Sequence, residues 1–308
     1  MRNALVNDNF RAWIVLGLAS LLVSSCSASF AVDGARAHAR VVKQVSFGPR
    51  VPGSPGHRAM QSWLVQELER LGGRIERQTF TDSLLGTSVE LMNVIARFGP
   101  PSGRRVALTA HYDTRAWADQ DSDSAHRGEP VPGANDGGSG VAVLLEVAEL
   151  LAHKAPPTGV ELVFFDGEDQ GREGLPDEYC RGSLAYAARL TSDRPVAAFN
   201  FDMVGDRDLA IHPELTSKER AANLVELVLD AAHATRARHF FTSPGPRVFD
   251  DHIRLLDAGL PAVDLIDFEY SAWHTHRDLP DQVSPESLAE VSQVAAWLVY
   301  RSPLARSQ

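Results

Sequence analysis

Cysteine is nearly absent: Cys26 and Cys180 are the only two in 308 residues. A disulfide-stapled architecture is therefore excluded, and the fold must rest on an apolar core. A basic block is also missing. The 30 Lys and Arg are dispersed among 40 Asp and Glu, for a formal net charge of -10, which removes the positive footprint that nucleic-acid binding needs. The apolar stretch at residues 12–23 is too short to span a bilayer. There is no internal repeat and no low-complexity tract. What is present is ordinary globular material, 44% hydrophobic and 23% charged, enough for one large α/β domain with a sizeable core.

Arg2 and Arg11 precede the 12–23 stretch, and Val23-Ser24-Ser25-Cys26 ends it. That order is the order of a secretory signal, and its last four residues resemble a bacterial lipobox, in which the cysteine becomes the lipidated first residue. Residues 1–26 are accordingly expected as a lipoprotein signal peptide, 27–38 as a tether and 39–308 as the folded domain, exported and held to a bacterial membrane by lipid alone. Cys180 is then unpaired even in an oxidising compartment.

Strand-like runs fall at 75–81, 89–98, 106–110, 160–165, 196–201 and 262–266. Helical spacing carries Met60, Trp63, Leu64, Leu68 and Leu71 up to the stop at Gly72-Gly73, and recurs at 138–153, 183–189, 217–234, 251–258 and 285–299. Strands alternating with helices predict a single α/β domain, its central sheet twisted, mostly parallel and covered by helices on both faces.

Three runs end in titratable groups. The 106–110 run leads into His111-Tyr112-Asp113, the 160–165 run into Asp166-Gly167-Glu168-Asp169, and the 196–201 run into Asp202. Ligands of open α/β sheets bind at the carboxyl ends of the strands, so these groups should converge. The loop Gly133-Ala134-Asn135-Asp136-Gly137-Gly138 adds a carboxylate just before an apolar helix. Several carboxylates cannot stay ionised in one crevice without a cation among them. His111, Asp136, Asp169, Asp202 and a late histidine offer nitrogen and oxygen ligands and no thiolate, a set that suits catalytic zinc. His274 and His276 flank Thr275, and spacing leaves either as that histidine. Asp113 is read as orienting His111, and Asp166 as ending its strand in a turn. His38, His57, His126, His153, His212, His233 and His239 are read as surface residues.

Taken in order, His111-Tyr112-Asp113, Gly133-Ala134-Asn135-Asp136, Phe164-Phe165-Asp166-Gly167-Glu168-Asp169, Asp202 and Trp273-His274-Thr275 resemble the metal motifs of the M28 zinc aminopeptidase superfamily. Val248-Phe249-Asp250-Asp251-His252-Ile253 with Gly259-Leu260-Pro261, and Phe47-Gly48-Pro49-Arg50 with Pro52-Gly53-Ser54-Pro55-Gly56-His57, narrow the resemblance to the animal-type glutaminyl-peptide cyclotransferases. It runs from about Val41 to Tyr300.

The resemblance implies an M28-like catalytic domain in which Asp136, Asp169 and His274 hold zinc. His111 and Asp202 match a second metal site of the two-zinc aminopeptidases, so one or two ions are expected. Glu168 matches the general acid/base, with Asp250 and Asp202 as further catalytic residues. Asp250 discriminates, because aminopeptidases usually carry Ser or Thr there and the cyclases carry Asp. Gly174 stands where vertebrate cyclases place a pocket tryptophan, and Asp264 where they place a histidine near Asp250. Trp273 and Tyr270 are expected to wall the substrate pocket, and a cis peptide is expected between Asp136 and Gly137. The implied reaction turns the N-terminal glutamine of a peptide or protein into pyroglutamate, on a monomeric enzyme. The competing reading is an aminopeptidase that hydrolyses the first peptide bond with the same residues.

Overall fold

In the computed structural model, which describes residues 30–83 and 86–305, six strands form one sheet: β1 (Arg74–Asp82), β2 (Val89–Phe98), β3 (Arg105–His111), β4 (Gly159–Phe165), β5 (Ala197–Asp202) and β6 (Ala262–Ile266). Their spatial order is β1-β2-β4-β3-β5-β6. β3 to β6 are buried along their whole length. Runs this apolar cannot face water on either side, so helices cover both faces of this part of the sheet, out to β6 at its edge. The leader and the Cys26 junction lie outside the described residues.

The sheet is mixed. β4, β3, β5 and β6 are parallel, but β2 runs antiparallel to both β1 and β4. For β1 and β2 the physical reason is connection length: residues 83–88 join them, too few for the crossover that a parallel pair requires.

The helices are α1 (Gly34–Val45), α2 (Pro55–Arg70), α3 (Ser139–His153), α4 (Arg181–Ala187), α5 (Leu215–Arg220), α6 (Ala222–Thr235), α7 (Asp251–Asp257) and α8 (Pro285–Tyr300). α1, α3, α6 and α8 pack on one another as one layer, and α4 packs on α7. Among the described residues no helix is long and apolar enough to cross a membrane.

Two expectations about the helices change. α1 begins inside the span expected as a tether, capped by Asp33. Its anchor is Glu146, a buried carboxylate in apolar α3 that accepts from the Asp33 N–H and pairs with Arg36 and Arg40. The helix expected over 217–234 is two, broken at Ala221 where ψ turns to 41°. No Gly or Pro marks that break. Both halves touch β6, but α5 also packs on α7 and α6 on α8, and these two directions divide the helix.

β3 sits where the topology reverses. The chain leaves β3 for β4 on one side and then crosses to β5 on the other, which opens a crevice at the carboxyl ends of these strands. Below it, His57 is buried rather than exposed, with Nε2 2.7 Å from Asp166 Oδ1. Asp166 is more than a turn: it also accepts from the Tyr112 hydroxyl at 2.7 Å and the Met92 N–H at 2.7 Å. This buried carboxylate ties α2 to the sheet.

Candidate metal centre

His111 closes β3 and Asp202 closes β5, so neighbouring parallel strands deliver them side by side, Nε2 to Oδ1 3.1 Å. Asp136 enters from the loop before α3. Two glycines allow that approach. A Cβ on Gly140 would lie 2.1 Å from the Phe201 carbonyl oxygen, and Gly137, at φ +74°, would meet the Asp113 carbonyl at 2.5 Å. Asp136 Oδ1 is 3.2 Å from His111 Nε2, and its Oδ2 is 3.6 Å from His274 Nε2. His274 Nε2 is in turn 3.1 Å from Asp169 Oδ1.

Two three-donor groups result, His111–Asp136–Asp202 and Asp136–Asp169–His274, each with its donor atoms within 4.8 Å of one another. Asp136 belongs to both. Asp169 Oδ2 is buried without a hydrogen-bond partner, an unmet acceptor of the kind a cation satisfies. Zinc fits this oxygen and imidazole set. His276 pairs with Asp121 instead, so of the two histidines left open by spacing, His274 is the one in the group.

The surrounding shell orients these donors. Asp113 Oδ1 lies 3.6 Å from His111 Nδ1. Asp113 also accepts the Glu168 N–H on Oδ1 at 3.0 Å and the Asp169 N–H on Oδ2 at 3.3 Å, and so fixes the loop after β4. Sequence reasoning missed Asp119 and Arg115. Asp119 Oδ1 is 3.4 Å from His274 Nδ1, the carboxylate–histidine–metal arrangement that sets a ring's tautomer and aim. Arg115 forks onto Asp119 at 2.9 and 2.6 Å and reaches Asp169 Oδ1 at 3.2 Å. Nothing local in the sequence joins that loop to His274.

Glu168 and Asp250 face each other with Cys180, their donor atoms within 4.8 Å. The Cys180 thiol donates to Glu168 Oε1 at 3.4 Å. Burial, reinforced by the Asp169, Asp250 and Asp251 charges, raises Glu168 well above the ordinary carboxyl range. Burial and Asp202 push Asp250 up to about 6. Both carboxyls thus hold a proton more readily than exposed ones do. For His274, burial disfavours the charged ring, but Asp169, Asp119 and Asp136 outweigh it and push the ring up to about 9.

The model of Peptidase family M28 matches residues 93–299. The chain belongs to this family. The bovine glutaminyl-peptide cyclotransferase-like protein (Bos taurus) is 29% identical over 277 residues, covering 80% of this chain and 70% of that protein. The crystal structure of Bacteroides thetaiotaomicron glutaminyl cyclase bound to N-acetylhistamine superposes with a TM-score of 0.84 at 32% identity, covering 88% of this chain and 98% of the other. A Zn-dependent exopeptidase from Parabacteroides distasonis matches at a TM-score of 0.84 and 33% identity, with the same coverages.

In this M28 chain the donors open into a cavity of about 370 Å³ lined by Glu168, Asp250, Trp273, Met203, Phe249 and Phe268, among others. Trp273 stacks on His274 with ring centroids 4.0 Å apart. Tyr270 is not part of that wall. It is buried, and its hydroxyl donates to Asp278 Oδ1 at 2.6 Å; its aromatic character resembled a pocket residue, but the hydroxyl finds its partner under the Asp136 loop. Gly174 lines the cavity, and a Cβ there would meet nothing within 4 Å. Asp264 and Asp250 share the Asn200 amide at 3.1 and 2.8 Å, and His252 Nδ1 lies 3.5 Å from Asp264. An imidazole thus remains in this network, supplied from 252. The peptide bond after Asp136 is trans, as are all those described; the left-handed turn at Gly137 brings the carboxylate round without the cis geometry expected from the family. A larger cavity, about 740 Å³, is lined by Trp117, Arg172 and Arg181 among others and by none of the metal-group donors, nor by Glu168 or Asp250.

Proposed function

We propose that this chain is a zinc-dependent glutaminyl-peptide cyclotransferase, which converts the N-terminal glutamine of peptides or proteins to pyroglutamate and releases ammonia. The observation that carries the reading is Asp250 beside Glu168. At this position the M28 aminopeptidases resembled by the sequence carry a hydroxyl residue, which cannot take up a proton as a carboxylate does. The named relatives support the same reading.

When bound, zinc at Asp136, Asp169 and His274 supplies a Lewis acid for the glutamine side-chain carbonyl. The chain's own groups do the rest. Glu168 accepts a proton from the α-amine as its nitrogen bonds to the side-chain carbonyl carbon. The carbon–nitrogen bond of the side-chain amide then breaks, and Glu168 returns the proton so that ammonia leaves. No water is consumed. Trp273 restricts the substrate to a folded pose in which amine and carbonyl meet.

The aminopeptidase reading keeps one specific support, the Asp136 carboxylate shared by two three-donor groups, an arrangement suited to two ions. The test is direct. With a Gln-initiated peptide and a Leu-arylamide as substrates, pyroglutamate and ammonia are expected from the first and little turnover from the second. Asp250→Ser should lower pyroglutamate formation about 10²-fold. Folding should survive, since Asp250 caps α7 and Ser caps as well. Release of free N-terminal residues without ammonia, unchanged in Asp250→Ser, would replace the cyclotransferase by the aminopeptidase.

The proposal extends to location: an exported enzyme, anchored through Cys26. Cys26→Ala should free it from the membrane fraction or leave its leader uncut. Identical fractionation of variant and wild type rules out the anchor.

A further inference from the structure

The Phe47-Gly48-Pro49-Arg50 motif takes no part in the reaction above, yet Arg50 is fully buried. Its guanidinium donates to three backbone carbonyls, Tyr112 at 2.8 Å, Pro132 at 3.0 Å and Gly133 at 2.6 Å. The first belongs to the residue after His111, and the other two open the loop that carries Asp136. A cation buried among carbonyls is costly unless each of its donors is met.

The other side of the same loop meets a carboxyl group. Asp278, also fully buried, accepts the Asn135 N–H on Oδ1 at 2.8 Å and the Asp136 N–H on Oδ2 at 3.1 Å. Its backbone carbonyl accepts the Ala134 N–H at 3.2 Å. Residues 132–136 therefore point carbonyl oxygens at a guanidinium and N–H groups at a carboxylate. Gly133 is part of the fit: at φ +72°, a Cβ there would lie 2.1 Å from Thr114 Cγ2 and 2.8 Å from an Arg50 guanidinium nitrogen. Tyr270 completes the arrangement through its bond to Asp278.

We propose that Arg50 and Asp278 form a charge clamp that positions Asp136, so that metal affinity depends on two residues that touch no metal. The proposal rests on Asp136 as a metal ligand and on no particular reaction. Charged partners one step behind a ligand typically control affinity by about 10- to 100-fold.

The test measures zinc affinity of the purified, folded protein by competition with a chromophoric chelator, beside the thermal midpoint of each metal-free variant. Asp278→Asn is expected to weaken zinc about 10- to 100-fold. Tyr270→Phe, which removes one hydroxyl without changing shape, should act in the same direction by less, and it serves if Asp278→Asn does not fold. Glu146→Gln is the control for general destabilisation: Glu146 is equally buried but holds α1, and it should lower the midpoint while leaving zinc affinity unchanged. Wild-type affinity in folded Asp278→Asn, or in Tyr270→Phe should that be the variant in use, overturns the clamp. So does an equal loss of affinity in Glu146→Gln. A wild type that takes up no zinc overturns the metal centre itself, and the clamp with it.

Discussion

Replacing Glu168 by Gln is expected to cut the turnover of Gln-initiated peptides by roughly 10²- to 10⁴-fold while zinc stays bound. The amide keeps the size of the side chain and loses the capacity to take a proton from the amine and return it to the leaving nitrogen. Glu168 is not a donor in either of the two groups that share Asp136, so the metal content of the variant at those groups should equal that of the wild type. The raised proton affinity of the carboxyl, caused by burial and by Asp169, Asp250 and Asp251, equips it for both transfers. Turnover above about a tenth of wild type would assign the proton transfer elsewhere.

Asp136→Ala is expected to abolish zinc binding and activity together. Its two carboxylate oxygens face different histidines, 3.2 and 3.6 Å away, so one substitution removes a donor from both groups. Elemental analysis should fall from one to two equivalents to none. Acidity should mimic part of this loss. His274 is raised to about 9, so at neutral pH zinc must displace a proton from it. The sign follows from linkage: the charged ring stabilises the metal-free fold fully below its ordinary value of 6.5, and that contribution is lost as pH rises through about 9. Zinc replaces the proton there. The rise in melting temperature on adding zinc should therefore be larger at pH 8 than at pH 6, and equal shifts would contradict the displacement.

The sequence was most legible where the chain is most apolar. β3, β4 and β5 are continuous buried runs, and a polar group that ends such a run can only sit at the sheet's edge, which made His111, Glu168, Asp169 and Asp202 readable as neighbours. Asp136 was readable because glycines surround it. Side chains whose partners come from distant loops were not. His57 gives no local sign that Asp166 waits beneath β4, Tyr270 looks like a pocket aromatic until its hydroxyl is seen on Asp278, and Asp119 is one acid among many before His274 packs on it. The break at Ala221 was hidden for a related reason: both of its halves have helical spacing, and only their separate packing partners divide them.

If the chain is anchored through Cys26 as proposed, Phe30 sets how far the domain can stand from the lipid. Phe30 is fastened to α8 in both directions, its N–H donating to Gln293 Oε1 at 2.8 Å and its carbonyl accepting from Gln293 Nε2 at 2.8 Å, with its ring 5.8 Å from that of Tyr300. Phe30 is only four positions beyond Cys26. A chain of that length spans at most about 14 Å. Under the proposed anchoring the point where the chain joins α8 would stand within that reach of the lipidated residue, so the α1–α8 side, and not the far side of the sheet, would be the one nearest the lipid.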